Sequence, residues 1–162
     1  MRRSQQILAV AGLALAVWAM SYGFYYAVWV EHQTLDRIGS SLAGAFQSAA
    51  ARDMEASRVK LAEYARAKYV YTREVDAHSH WIGLAMVLLI LAALWDRLAF
   101  GEKGRSRLAM ALIAGSVVFP LGVLLQNHLP SPDGQVIAVA GTVLLLVAFV
   151  LAAVGLAMEN SK

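Results

Sequence analysis

The sequence predicts an all-α integral membrane protein, a four-helix bundle with an outer helical hairpin inserted between its first and second spans. Three observations predict it. Four apolar stretches are each long enough to cross a bilayer, which takes about 20 mostly apolar residues. Lysine and arginine crowd some of the short connections and are missing from another. Residues 47–82 contain neither glycine nor proline and are dominated by strong helix formers. Hydrophobic residues make up 59% of the 162-residue chain, more than an ordinary soluble domain carries.

The spans fall at about residues 7–30, 79–98, 108–127 and 135–158, and no charge interrupts their apolar cores. Met1, Arg2 and Arg3 before the first span are compatible with a signal peptide. The apolar run that follows is too long for one, however. It ends in aromatic residues and Glu31-His32 instead of small residues suited to cleavage, so it reads as a retained anchor. Arg97, Lys103, Arg105 and Arg107 crowd the link between spans two and three, whereas the HLPSPDG link, residues 128–134, has neither Lys nor Arg. Positive residues stay in the cytoplasm. Both termini are therefore expected inside a bacterial inner (plasma) membrane, with residues 31–78 and the HLPSPDG turn outside. Tyr22, Tyr25, Tyr26 and Trp29 mark the outer end of span one, and Trp81 that of span two.

Residues 31–78 form the only sizeable segment between spans. A turn is expected at residues 51–54, with Asp53 as the N-cap of a second arm running unbroken into span two. Leu35, Ile38, Leu42, Ala45 and Ala49 form an apolar stripe on the first arm, and Gly39 and Gly44 weaken it. Lys60 with Glu63, and Glu55 with Arg58, are spaced for surface pairs. Two arms alone bury little, so the hairpin is solvated, folds onto the bundle mouth, or pairs with another chain.

Membrane helices associate through close packing, because lipid tails are as apolar as leucine. Small residues supply it. Gly12, Ala16, Ala19 and Gly23 line span one, and Gly115 and Gly122 lie on span three. Gly134, Ala138, Gly141, Ala148, Ala152 and Gly155 line span four. Pro120 should bend span three and free a carbonyl near Ser116.

Several function classes are excluded or disfavoured. There is no cysteine, which rules out disulfides, thiolate metal sites, Cys-ligated clusters and CxxCH haem attachment. The net charge of +3 is spread without a basic stripe, so nucleic acid is not a partner. No ionisable residue lies at mid-depth, which argues against a proton pump, an ion-coupled transporter or a charged pore. No nucleophile–base set is present, and GEKGRS (residues 101–106) is a short basic turn without P-loop spacing. The chain does not read as an enzyme.

The four histidines share one level. In this topology His32 ends span one, His78 and His80 open span two, and His128 follows span three. Imidazole is the commonest protein ligand for transition metals and non-covalent haem. Asp76 and His80, four apart, share a helical face, whereas His78 points about 200° away from His80. A metal site (copper, zinc or iron) would draw on His32, Asp76, His78, His80 and His128. A haem b site would use His80 and His128 as axial ligands. The same distribution also arises when polar residues merely mark the interface, or when histidine senses pH. The His78-Ser79-His80 opening of a membrane helix, over residues 76–88 and with His128 at a helix end, resembles histidine motifs of bacterial membrane proteins related to the haem–copper oxidases and small b-type cytochromes. Those families place several ligands deeper in the bundle, and this chain has none there. The resemblance implies a redox module, a subunit or accessory factor of a respiratory complex. The competing reading is a membrane anchor, interaction or sensor protein whose hairpin binds a partner, with the lipid bilayer and a possible homo-oligomer as its other contacts.

Overall fold

The computed structural model describes residues 3–128 and 132–159. It contains α1 (Arg3–Trp29), α2 (Glu31–Ala50), α3 (Met54–Leu94), α4 (Glu102–Leu125) and α5 (Asp133–Glu159), with a 3-10 turn at Trp95–Arg97. No strand occurs among the described residues. Four helices, α1, α3 with its following turn, α4 and α5, are long and apolar enough to cross a membrane. The protein is an all-α, multi-pass membrane protein. Residues 129–131 of the expected HLPSPDG turn lie outside the described residues.

The chain forms two compact units. One joins the chain up to Met20 with everything from Asp76 onward, and the other is Ser21–Val75. In the first, α3 presents a core stripe at helical spacing. Ala77, Trp81, Ala85, Leu88, Ala92 and Trp95 are all buried. Leu8, Leu15 and Ala19 of α1 are buried as well, and Gly12 brings the α1 backbone close to Leu88 and Leu89 of α3. Val136, Val139, Val143, Leu146 and Val150 of α5 point outward, as a lipid-facing surface requires.

The small residues of α4 and α5 lie where the two helices meet. Gly122 stands against the backbone of Ile137 and Ala138, and Gly141 against the backbone of Phe119. Gly115 packs against Leu145. At Gly122 and Gly141 backbone meets backbone, and this is the device expected where dispersion, not water exclusion, holds helices together. Pro120 is buried inside α4. It lacks the N–H that would bond the Ser116 carbonyl, and the Ser116 side chain is buried there too.

The link between α3 and α4 is more structured than the basic turn expected from GEKGRS. Helix α4 already begins at Glu102, and Arg105 is buried at 5% exposure. Its guanidinium donates to the carbonyls of Phe100 (2.8 Å), Asp96 (3.2 Å) and Leu98. The start of α1 docks on the same link. Trp95 Nε1–H donates to Ser4 Oγ (3.1 Å), Gln5 Nε2–H to the Ala92 carbonyl (3.0 Å), and Ser4 N–H to Glu102 Oε1 (3.2 Å). Ala99 N–H donates to the Gly155 carbonyl of α5 (3.0 Å). Every spanning helix thus bonds to, or begins or ends in, this link.

In the second unit, α2 and α3 are joined by a turn at the expected place. Arg52 adopts a left-handed conformation (φ 62°). Asp53 N–H bonds Ser48 O and Arg52 N–H bonds Ala49 O (each 2.9 Å), closing α2 as a Schellman motif does. Asp53 Oδ1 accepts from Ala56 N–H at 3.0 Å, an N-cap on α3. Helix α2 runs unbroken through Gly39 and Gly44, so these glycines do not interrupt the first arm. Its buried face also differs from the expected stripe. Leu35 and Ala49 are exposed, and Ser41 and Ala45 are the buried residues. The reason is close approach. Ser57 Oγ–H donates to the Ala45 carbonyl at 3.0 Å, a contact that only small residues on both arms allow. The Lys60–Glu63 pair is formed at 2.8 Å on the surface. At the base of this unit Tyr71 donates to Glu31 Oε1 (3.3 Å), Tyr26 packs on Tyr71, and Tyr22 donates to Glu74.

Candidate functional site

Helix α3 carries the central histidines through the point where its sequence turns apolar. Its core stripe divides them. On one side, His78 Nδ1 lies 3.0 Å from the Ala19 carbonyl of α1. A carbonyl oxygen only accepts, so Nδ1 carries the proton and donates it. In the neutral form of the ring this fixes the tautomer, with Nε2 as the acceptor. Trp81, one turn on, meets Trp18 of α1 edge to face at 5.9 Å. On the other side, the His80 ring lies 4.6 Å from Phe119 of α4. The two histidines therefore reach different helices, as a two-residue step on a regular helix dictates.

The remaining expected ligands are placed as follows. Asp76 is partly buried on α3, one turn before His80. His128 is exposed beyond the end of α4, its N–H bonded to the Leu125 carbonyl at 3.0 Å. Nine residues separate it from Phe119, where His80 meets α4, or roughly 13 Å by helical rise. His32 is exposed in the first turn of α2 and belongs to the other unit. Among the described residues, no three His, Asp or Glu side chains converge as a metal-binding group. Three or four converging donors are what zinc or copper takes. The Nδ1–H of His78 is anchored on a backbone carbonyl, an arrangement that ligating histidines also use.

Two further features were not legible as sites in the sequence. A polar cleft of about 380 Å³ on the hairpin is lined by Thr34, Arg37, Ser41, Glu63, Arg66 and Val70. Arg37 and Arg66 look like ordinary charges on two separate helices until the turn at Arg52 brings the arms together. An apolar groove of about 350 Å³ lies between the start of α4 and the second half of α5. No motif announces it. Comparison with protein families, curated proteins and solved structures found no match to this chain.

Proposed function

We propose that this protein is a small multi-pass protein of a bacterial inner membrane that holds a histidine-based cofactor at its outer face, as a subunit or accessory factor of a respiratory complex. In this reading both termini are cytoplasmic and the 31–78 hairpin is periplasmic, in keeping with the distribution of Lys and Arg. One observation carries it. The Nδ1–H of His78 is committed to the Ala19 carbonyl, which fixes the ring and leaves Nε2 as its other nitrogen for a ligand. His78 would be the ligand. His80 leaves α3 on the other side, toward α4, and would not share its iron. A single imidazole suits haem b better than a metal ion that needs three or four protein donors. A haem held there would supply one-electron transfer. The protein's own part is to fix the imidazole tautomer and to hold the ring against α1.

The test is an absorbance spectrum with metal analysis on detergent-purified protein from cells supplied with haem and metals. The expected result is a Soret band that shifts on dithionite reduction and is lost in His78→Ala, while His80→Ala and His128→Ala retain it. Folded protein with neither a Soret band nor stoichiometric copper, zinc or iron would sink the reading.

The hairpin cleft favours a second reading, an interaction or sensor protein whose hairpin grips an anionic group through Arg37 and Arg66. Paired guanidinium groups suit carboxylate or phosphate. A photo-crosslinker at Val70 is then expected to trap a partner in cells, and Arg37→Glu with Arg66→Glu to abolish the product. An unchanged product in the double variant would count against it.

A further inference from the structure

An apolar groove runs between α4 and α5, two of the helices long and apolar enough to cross a membrane. Its walls are Phe100, Leu108 and Ala111 on one side and Leu144, Val147 and Leu151 on the other. Along α4 the lining extends from Gly104 to Ala111, roughly 10 Å by helical rise. A single charged side chain, Arg107, lines it. Arg107 is exposed, and Lys103, one turn earlier on the same face, is exposed too. Lys103, Arg105 and Arg107 are the last cations before the apolar stretch of α4, and of these Lys103 and Arg107 are the exposed ones, which sets them at headgroup depth while the groove extends toward the hydrocarbon.

We infer that this groove binds one anionic phospholipid, its phosphate at Arg107 and Lys103 and one acyl chain along Leu108, Ala111 and Leu144. Inside a bilayer an apolar groove gains nothing from excluding water, because every competing occupant is also apolar. Selectivity must therefore come from the headgroup. Two cations beside an apolar slot at the interface choose negative over zwitterionic lipid. The site is held open by its framework. Phe100 is anchored by the bond from Ala99 to Gly155 and by the Arg105 guanidinium on its carbonyl.

The test uses the full chain in neutral detergent, offered equal amounts of phosphatidylglycerol and phosphatidylcholine and examined by native mass spectrometry. One phosphatidylglycerol per chain is expected, preferred by up to roughly thirtyfold for two cations at a surface. Arg107→Gln with Lys103→Gln should bring the preference close to parity. Ala111→Phe, which fills the slot and leaves the cations, should lower retention of both lipids. Equal retention of the two lipids by the unaltered chain would overturn the inference without requiring any variant to fold. So would a preference that survives loss of both cations, or cross-links between copies at residue 111 showing that a second chain fills the groove.

Discussion

Replacing Gly122 with alanine should separate α4 from α5 and lower stability by about 3 kcal/mol, near the upper end of what overpacking usually costs. A Cβ at Gly122 would overlap the Ala138 backbone nitrogen and lie 2.6 Å from its Cα and 2.8 Å from the Ile137 carbonyl carbon. The obstacle is main chain, which cannot rotate aside as a side chain can. Gly141→Ala meets the same problem from the other helix, 2.5 Å from the Phe119 nitrogen and 2.7 Å from its Cα. Relief requires the helices to move apart, and that forfeits dispersion contacts along the whole interface. Lipid does not compensate for them. Gly83→Ala is the control. Nothing lies within 4 Å of a Cβ there, and alanine in a helix interior is favoured over glycine by roughly 0.5–1 kcal/mol. Thermal unfolding in detergent should therefore show Gly122→Ala and Gly141→Ala melting well below the parent and Gly83→Ala at or above it. Equal midpoints for all three would mean that α4 and α5 do not meet at these glycines.

Arg105→Met should be comparably severe, costing about 3 kcal/mol as three backbone carbonyls, that of Leu98 buried and the others partly so, lose a charged donor. The carbonyls of Asp96, Leu98 and Phe100 all accept from this guanidinium, and the Asp96 carboxylate stands 3.8 Å away. A fork of fixed N–H donors satisfies three acceptors from one point, which a lysine ammonium on a flexible stem does poorly. Arg105→Lys is accordingly expected to recover only part of the loss. Arg107→Met, two residues away but exposed, should leave the melting temperature nearly unchanged. Limited proteolysis supplies a second reading of the same contrast, with faster cleavage within residues 96–104 expected for Arg105→Met alone. Similar behaviour of the Arg105 and Arg107 variants would refute the assigned role.

The histidine level was partly legible in the sequence. A two-residue step on a helix sends His78 and His80 in different directions, and they do reach α1 and α4 respectively. Which helix each would meet was not legible, because a wheel carries no information about neighbours. The expected pairing of His80 with His128 rested on a shared level of the membrane. His80 instead meets α4 at Phe119, well before the end of that helix.

Hydropathy and local chemistry settled most of the architecture. The four apolar stretches had to be helices, since a spanning segment must satisfy its own backbone hydrogen bonds. The turn before α3 was marked by Asp53, whose carboxylate caps the helix within three residues. These are short-range constraints, and a linear pattern records them. Long-range packing left fainter traces. Ser41 and Ala45, not Leu35 and Ala49, face the neighbouring arm, because close approach selects for small residues over the most apolar ones. Arg105 and Arg107 are the same residue type two positions apart, one buried in a carbonyl cage and one at a lipid-facing groove. Their difference arises from the path of residues 96–101 and the docking of α1 and α5 upon it, contacts between parts of the chain too distant for any local pattern to encode.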